Sequence, residues 1–389
     1  MTIRSKRPIF LGLGVGLVLL GLAFAAGWLA GGLRQAQLAG FPLVSEIWVL
    51  VRDHYSGTLP DGPSLGRSMG RGLVQALGDP YSVIVDPAAR ELETDQLTGS
   101  YGGIGADLIR DAGGLLHLVP YPDGPAARGG IVEGDILLSI DGEELTPTVS
   151  MEDVTALLRG APGSTVVVVV KPSDALGSLR QLRLVRETFS LPSVSSYLLP
   201  DDPTVVVVRI TLFSQMTPTE VDRALESATA RGATVGILDV RGTPGGLLES
   251  AVDTARLFLK DGTVASEQRA DGSLTHFRVE RQGRWSLLPV AVIVDGGTAS
   301  AAEIVAGSLQ QRGRAIVLGM PTVGKGTVQS IFALSDGSSL HLTTAVWTLP
   351  DGHSLPSGGL APDIVVDSAA PEAALRLAAQ ELQDQGPGT

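Results

Sequence analysis

The chain has 389 residues, no cysteine and a net charge of −12. The missing cysteine excludes a disulfide framework and thiol chemistry, and interspersed Arg and Asp/Glu with an acidic balance argue against nucleic acid as a partner. The length predicts two or three domains beyond any membrane segment.

Arg4, Lys6 and Arg7 precede an uncharged run of 25 residues, Ile9–Leu33. That is long enough to span a bilayer, which takes roughly 20 apolar residues. Ala23-Phe24-Ala25 offers a signal-peptidase site, but the apolar run continues past it and carries Trp28 near the outer interface, which favours an uncleaved anchor. The basic residues then place 1–8 in the cytoplasm and everything after Arg34 outside, on a single-pass cell-membrane anchor. Gly12 and Gly16, like Gly27 and Gly31, have the G-x-x-x-G spacing that pairs membrane helices and leaves a homo-oligomer open.

Residues 34–98 read as helical, with a G-D-P-Y-S turn at 78–82 and an acidic stretch from Glu91 to Asp95. Gly66-Arg-Ser68-Met-Gly70 fits the G-x-S-x-G nucleophile elbow by spacing. The elbow needs a preceding strand, and Leu59 to Ser64 is turn-rich.

From Gly99 the texture becomes short strands with glycine turns, interrupted by one short helix predicted over Met151–Arg159. The segments G-G-I-G and G-D-I-L-L-S-I-D-G resemble a PDZ domain over about 99–186. That resemblance implies that the amides of Gly103, Ile104 and Gly105 form a nest for a peptide's terminal carboxylate and that the following strand pairs with the peptide. His117, in an apolar strand, is expected in the core. None of the five histidines has metal-ligand spacing with another, so neither metal nor cofactor is expected.

Within the region 187–367, residues 204 to 348 alternate strand and helix. Thr204 to Ile210 and Val235 to Val240 read as buried strands, and Thr217-Pro-Thr-Glu220 as a capping box opening a helix. Gly242 to Gly246 turns the chain into a second helix, Leu247 to Lys260. Val290 to Val294, a turn at Gly296-Gly-Thr298, and a helix from Ala301 to Arg312 complete a βαβ-type α/β core. Such sheets bind ligands at the carboxyl ends of their strands, where both turns should open. Residues 368–389 form a tail that is helical from Pro371 to Gln385.

Ser300 stands at the start of the last core helix. Its spacing to Glu303 fits a plain capping box, yet a hydroxyl there also projects beside unpaired helix amides that stabilise an oxyanion. Lys325 favours the second reading. Lys and Arg together number 29, but only Lys6, Lys171, Lys260 and Lys325 are lysines. A lysine in a glycine-rich turn supplies what arginine cannot, a side chain able to lose its proton. Gly319 to Lys325 matches G-x-x-x-x-G-K of a P-loop, but Gly326 replaces the magnesium-binding hydroxyl and Thr327 to Phe332 is too β-branched and aromatic for the required helix.

G-T-A-S-A-A-E-I at 297–304, G-K-G-T-V-Q at 324–329 and D-V-R-G-T-P-G-G-L-L at 239–248 together resemble the tail-specific, or C-terminal processing, peptidases. A-L-G-D-P-Y-S at 76–82 and G-G-L-A-P-D-I-V-V at 358–366 extend the resemblance. Gly242-Thr243 before Pro244, where an Asn-type residue is more usual, and Val323, in place of an aromatic, depart from it. The resemblance implies a ClpP/crotonase-like α/β peptidase core with an inserted PDZ domain, after an N-terminal helical segment. It makes Ser300 the nucleophile, Lys325 its general base and Gln329 the residue that orients the lysine, with oxyanion amides from Gly246 and Ala301. The substrates would be polypeptides with free C-termini. A membrane-tethered peptide-binding scaffold or chaperone with an inert core would share the PDZ groove but have no use for Ser300 and Lys325.

Overall fold

The computed structural model describes residues 41–173, 178–355, 358–367 and 371–384. The expected anchor at 9–33, with its glycine pairs and the Ala23-Phe24-Ala25 motif, lies outside these. Among the described residues no helix is long and apolar enough to cross a membrane. The chain divides into two units, 1–69 and 70–389.

In the first unit, α1 (Phe41–His54) buries no residue. Helix α2 (Gly62–Gln75) begins here, with the Ser64 N–H donating to Asp61 Oδ1 at 2.7 Å. Ser68 sits mid-helix, its hydroxyl donating to the Ser64 carbonyl at 3.0 Å, so the G-x-S-x-G match is helical and no elbow.

The second unit opens with β1 (Val83–Val85), a strand the sequence reading missed, and α3 (Pro87–Thr98). A glycine-rich β domain follows, with β2 (Ser100–Gly103), β3 (Ala106–Arg110), β4 (Leu116–Pro120), α4 (Pro125–Arg128), β5 (Ile136–Ile140), β6 (Glu143–Glu144), α5 (Met151–Leu158), β7 (Thr165–Lys171), β8 (Arg180–Val185) and β9 (Glu187–Ser190). Its antiparallel sheet runs β3-β4-β5-β7-β8, leaving β3 at an edge, and β2 pairs with β9. Alternating Val166, Val168 and Val170 meet Leu118, Ile140 and Val154 in its core. Ser150 caps α5, accepting from Asp153 N–H at 3.0 Å. His117 is not in that core. Its ring is part-exposed on the other face of β4 and bonds Asp111 and the Gly134 carbonyl, each at 3.1 Å, because a strand residue between buried Leu116 and Leu118 must point the opposite way.

The α/β core comprises β10 (Val194–Leu199), β11 (Asp202–Ile210), α6 (Thr217–Ala230), β12 (Val235–Asp239), α7 (Leu248–Arg256), β13 (Thr263–Arg269), β14 (Leu274–Arg278), β15 (Val290–Val294), α8 (Ala301–Gln311), β16 (Ala315–Gly319), β17 (Thr327–Ala333), β18 (Ser339–Thr348), β19 (Ile364–Val365) and α9 (Pro371–Asp384). The main sheet runs β10-β11-β12-β15-β16-β19, parallel from β11 onward. The central runs Val205–Val208 of β11, Val235–Leu238 of β12 and Val290–Val294 of β15 are continuously apolar because both faces are covered there, whereas β10, at the edge, carries exposed Ser195 and Ser196. Val206, Val208 and Ile210 of β11 meet α6, α7 and α8 on one face. Val205 and Val207 turn to the other, where Ala374, Leu375, Ala378 and Leu382 of α9 cover them. The C-terminal helix thus closes the second face, each fully buried Val or Leu contributing about 1.5–3 kcal/mol. A second, antiparallel sheet runs β1-β18-β13-β14, with β17 also on β18.

Two helix boundaries differ from expectation. Thr217 lies inside α6 and its hydroxyl donates to the Leu212 carbonyl in the loop after β11 at 3.0 Å, while Glu220 accepts from the N–H of Ser193, just before β10, at 2.9 Å, so the two side chains are taken by neighbouring segments and form no capping box. Helix α7 stops at Arg256, four residues early. The Leu257 and Leu259 carbonyls accept from Trp285 and Gly283 N–H, each at 2.8 Å, which draws the last predicted turn out of the helix.

Candidate active site

Three loops leave the carboxyl ends of adjacent parallel strands: the glycine turn after β12, the serine turn after β15, and the lysine loop after β16. Backbone bonds join them. Ala299 N–H donates to the Thr243 carbonyl and Val323 N–H to the Thr298 carbonyl, each at 3.0 Å, and Asp295 Oδ1 accepts from Gly242 N–H at 2.7 Å and Gly297 N–H at 2.9 Å. Asp239, at the foot of the glycine turn, is paired with Arg209 at 2.8 Å and Arg241 at 2.7 Å. Burial pushes its carboxyl up, but the two guanidinium groups hold it below the usual range.

Ser300 has φ 53° and ψ −117°, a positive-φ backbone outside the left-handed helical region that non-glycine residues rarely adopt. Its N–H donates to Glu303 Oε2 at 2.7 Å, and Lys325 N–H donates to the same oxygen at 3.0 Å. Glu303 Oε1 accepts from Gly324 N–H at 2.6 Å and from the Thr322 hydroxyl. The helix-capping carboxylate therefore reaches beyond its own helix, and fully buried Glu303 ties the serine turn to the lysine loop. Sequence spacing identified only the bond to Ser300.

Lys325 is half-buried. Burial lowers its pKa, while the charges of Asp79 and Glu303 act in the raising direction. Its Nζ lies 5.0 Å from the centroid of the Tyr81 ring, and its carbonyl accepts from Trp347 Nε1 at 3.0 Å. Asp79 and Tyr81 come from the G-D-P-Y-S turn, to which sequence reading assigned no place at the lysine.

Gly245 and Gly246 leave room for no side chain. A Cβ at Gly245 (φ 114°) would stand 2.8 Å from Ser300 Cβ, and one at Gly246 (φ 135°) 2.3 Å from the Phe213 carbonyl oxygen. Phe213 N–H donates to the Gly245 carbonyl and accepts, through its own carbonyl, the Leu247 N–H, each at 2.8 Å. The intervening Gly246 N–H is therefore turned away from Phe213. In the unusual Gly242-Thr243 pair, Thr243 is buried with its hydroxyl donating to the Ile210 carbonyl at 2.6 Å, so it anchors the turn from below; Val323 is exposed.

Ser300, Ala301, Gly246, Lys325 and Gln329 all line one cleft of about 440 Å³, together with Trp347. Gln329 Nε2 donates to the hydroxyls of Thr327 at 2.9 Å and Thr343 at 3.2 Å. Helix α3 contributes Glu93, Gln96 and Leu97 to the same cleft. Its Asp95 pairs with Arg159 at the end of α5 at 2.6 Å, so one helix touches both the cleft and the β domain. Gly103, which ends β2, and Ile104 and Gly105, which lead to β3, lie apart and are buried. The Ile104 and Gly105 carbonyls accept from Ala126 and Tyr121 N–H, each at 2.8 Å.

Peptidase family S41 matches residues 204–366, from β11 to the closing segment, and a PDZ domain matches 118–172. A carboxy-terminal-processing protease of Bartonella bacilliformis is 31% identical over 347 residues, covering 86% of this chain and 76% of its own length. The chain belongs to peptidase family S41. The carboxyl-terminal-processing protease of a Picosynechococcus species is 33% identical over 302 residues, covering 75% and 72%, and the processing protease CtpA of Bacillus subtilis is 32% identical over 313 residues, covering 80% and 66%. The protein is thus a serine peptidase of the carboxy-terminal processing type with a PDZ domain, and the α/β core that builds the cleft is its S41 peptidase core.

Proposed function

We propose that this S41 peptidase cuts polypeptides through a Ser300–Lys325 pair, with recognition of the substrate's free C-terminus by the PDZ domain. The observation that carries the reading is the Glu303 carboxylate, which bonds the backbone of both residues and sets their side chains in one cleft. Neutral Lys325 takes the Ser300 hydroxyl proton as the oxygen attacks the scissile carbonyl. Gly246 and Ala301 N–H groups face the developing oxyanion, the first turned from Phe213 and the second at the start of α8. The lysine returns its proton to the leaving amine. It then accepts a proton from the water that cleaves the acyl ester and gives it back to Ser300. Gln329, with its amide nitrogen on Thr327 and Thr343, offers its carbonyl oxygen to orient the lysine.

In the PDZ domain, Gly103, Ile104 and Gly105 precede edge strand β3, and the amides of this turn would take the terminal carboxylate while β3 pairs with the peptide. Incubating the protein and its Ser300→Ala variant with an unstructured polypeptide, C-terminally free or amidated, tests both halves. The wild type should cut the free form faster than the amidated one, and Ser300→Ala should cut neither. Equal rates on the two substrates would remove the terminus from the signal, and cleavage by the variant would remove Ser300 from the chemistry.

The uncharged run at 9–33, preceded by Arg4, Lys6 and Arg7, supports a single-pass anchor with the peptidase on the extracytoplasmic side. Added protease should then digest the S41 core on intact cells freed of their wall. Digestion only after lysis would reverse the orientation.

A further inference from the structure

Strand β17 begins two residues after Lys325 and pairs, among the described residues, with β18 alone. The direction of its backbone groups follows from its two ends. Trp347 N–H donates to the Gly326 carbonyl at 3.0 Å, and Leu334 N–H to the Ser338 carbonyl at 2.9 Å. In an antiparallel ladder successive residues turn their N–H and C=O to opposite sides. Counting from either end, even-numbered residues from 326 to 334 face β18, and Thr327, Gln329, Ile331 and Ala333 present theirs to the open edge. The register shift between Val328 and Gln329 does not disturb this, because the extra residue, Thr344, belongs to β18.

The cleft is lined by all five consecutive residues from Thr327 to Ile331. A strand that showed the cleft one of its faces would contribute every second residue. A strand reached around its edge contributes each in turn; the cleft also touches Glu267 and Arg269 of β13 and His341 and Trp347 of β18, so it runs over the sheet and around the unpaired edge of β17 to the space that holds Ser300. A long edge with exposed Ile331 and Phe332, each nearly half exposed, is a template for another extended chain.

We infer that the β17 edge is the rail for the scissile region of the substrate: an extended polypeptide adds to β17 as a further strand, with its backbone bonded to the outward groups of Thr327, Gln329 and Ile331. This rests on the serine-peptidase reading above and deepens it. Recognition at the cut is then through main-chain hydrogen bonds, which every sequence offers except at proline, and the PDZ domain is left to supply selectivity. It also requires the substrate to be unfolded locally, since a residue already bonded within a helix or sheet has no groups to give the rail.

The test uses the full chain and a peptide whose cleaved bond has been mapped by mass spectrometry and lies well upstream of the C-terminal residues that the PDZ domain would hold. Single N-methylations are placed in turn at the residues flanking that bond, removing one donor each. Methylation at alternate positions should lower kcat/KM about 10-fold, the upper range for one hydrogen bond, while the positions between them tolerate it. Ile331→Pro removes one outward donor at an edge position where proline is accepted, and should raise KM more than Ile331→Ala does. Losses without a period of two, or a folded Ile331→Pro indistinguishable from Ile331→Ala, overturn the rail and leave Ser300 in place if Ser300→Ala is inactive. Cleavage by Ser300→Ala overturns the serine reading and the rail with it.

Discussion

Lys325→Arg should fold, bind peptide and lose about 10⁴- to 10⁶-fold in kcat, the scale on which a peptidase loses its base. Arginine keeps the charge, but near neutral pH it has no neutral form to accept the Ser300 proton. The surroundings of Lys325 serve the opposite end. Burial lowers its pKa, and the nearby Asp79 and Glu303 charges reverse part of that shift. Only the unprotonated amine is a base, so wild-type kcat/KM should rise with pH through an ionisation below the ordinary lysine value of 10.5. Stability carries the same sign. Between the lowered folded value and 10.5 the unfolded chain binds more protons than the folded one, so the stability penalty of burying Lys325 is present below that window and fades as pH rises through it. The arm that decides is a pH profile of kcat/KM beside single-turnover rates for Lys325→Arg. Near-normal cleavage by the arginine variant would reduce Lys325 to a positive charge or a packing element.

Glu303→Ala should be the most damaging change to the fold of the cleft. It leaves the part-buried N–H groups of Ser300, Gly324 and Lys325 and the buried Thr322 hydroxyl without their acceptor. At about 1–3 kcal/mol per stranded group the sum is roughly 4 kcal/mol or more, a large share of a typical total of 5–15 kcal/mol. Such a variant is expected to melt well below the wild type. Glu303→Gln separates structure from chemistry. It keeps the volume and one oxygen but turns an NH₂ toward donors, so one loop loses its tie. Its Tm should fall less than that of Glu303→Ala, and its kcat should fall more than its KM rises, because the lost tie displaces the base from the nucleophile by fractions of an ångström without removing either. Thermal unfolding and steady-state kinetics on both variants check this. A Glu303→Gln protein with wild-type Tm and kcat would show that the two loops hold their places without the carboxylate.

The sequence by itself determined whatever depends on near neighbours. The apolar runs of β11, β12 and β15 are readable because a strand buried on both faces needs no alternation, and the strand, turn and helix around Ser300 follow from β-branched residues, glycines and an Ala-rich segment in succession. Lys325 was legible as a rare lysine in a glycine turn, and the strand after it, rather than a helix, was legible from Thr327 to Phe332. Only the tertiary structure decided what those residues meet. Tyr81 stands by Lys325, and β1 pairs Val83 with His341, across distances in the chain over which no local pattern acts. Thr217 and Glu220 have the spacing of a cap, yet groups near β10 and before α6 take both side chains, since a hydrogen bond to a buried partner outcompetes one that water could replace. Glu303 shows both regimes in one side chain: one oxygen makes the predicted bond to Ser300, three residues away, while the donors from the lysine loop arrive only because parallel strands β15 and β16 lie side by side.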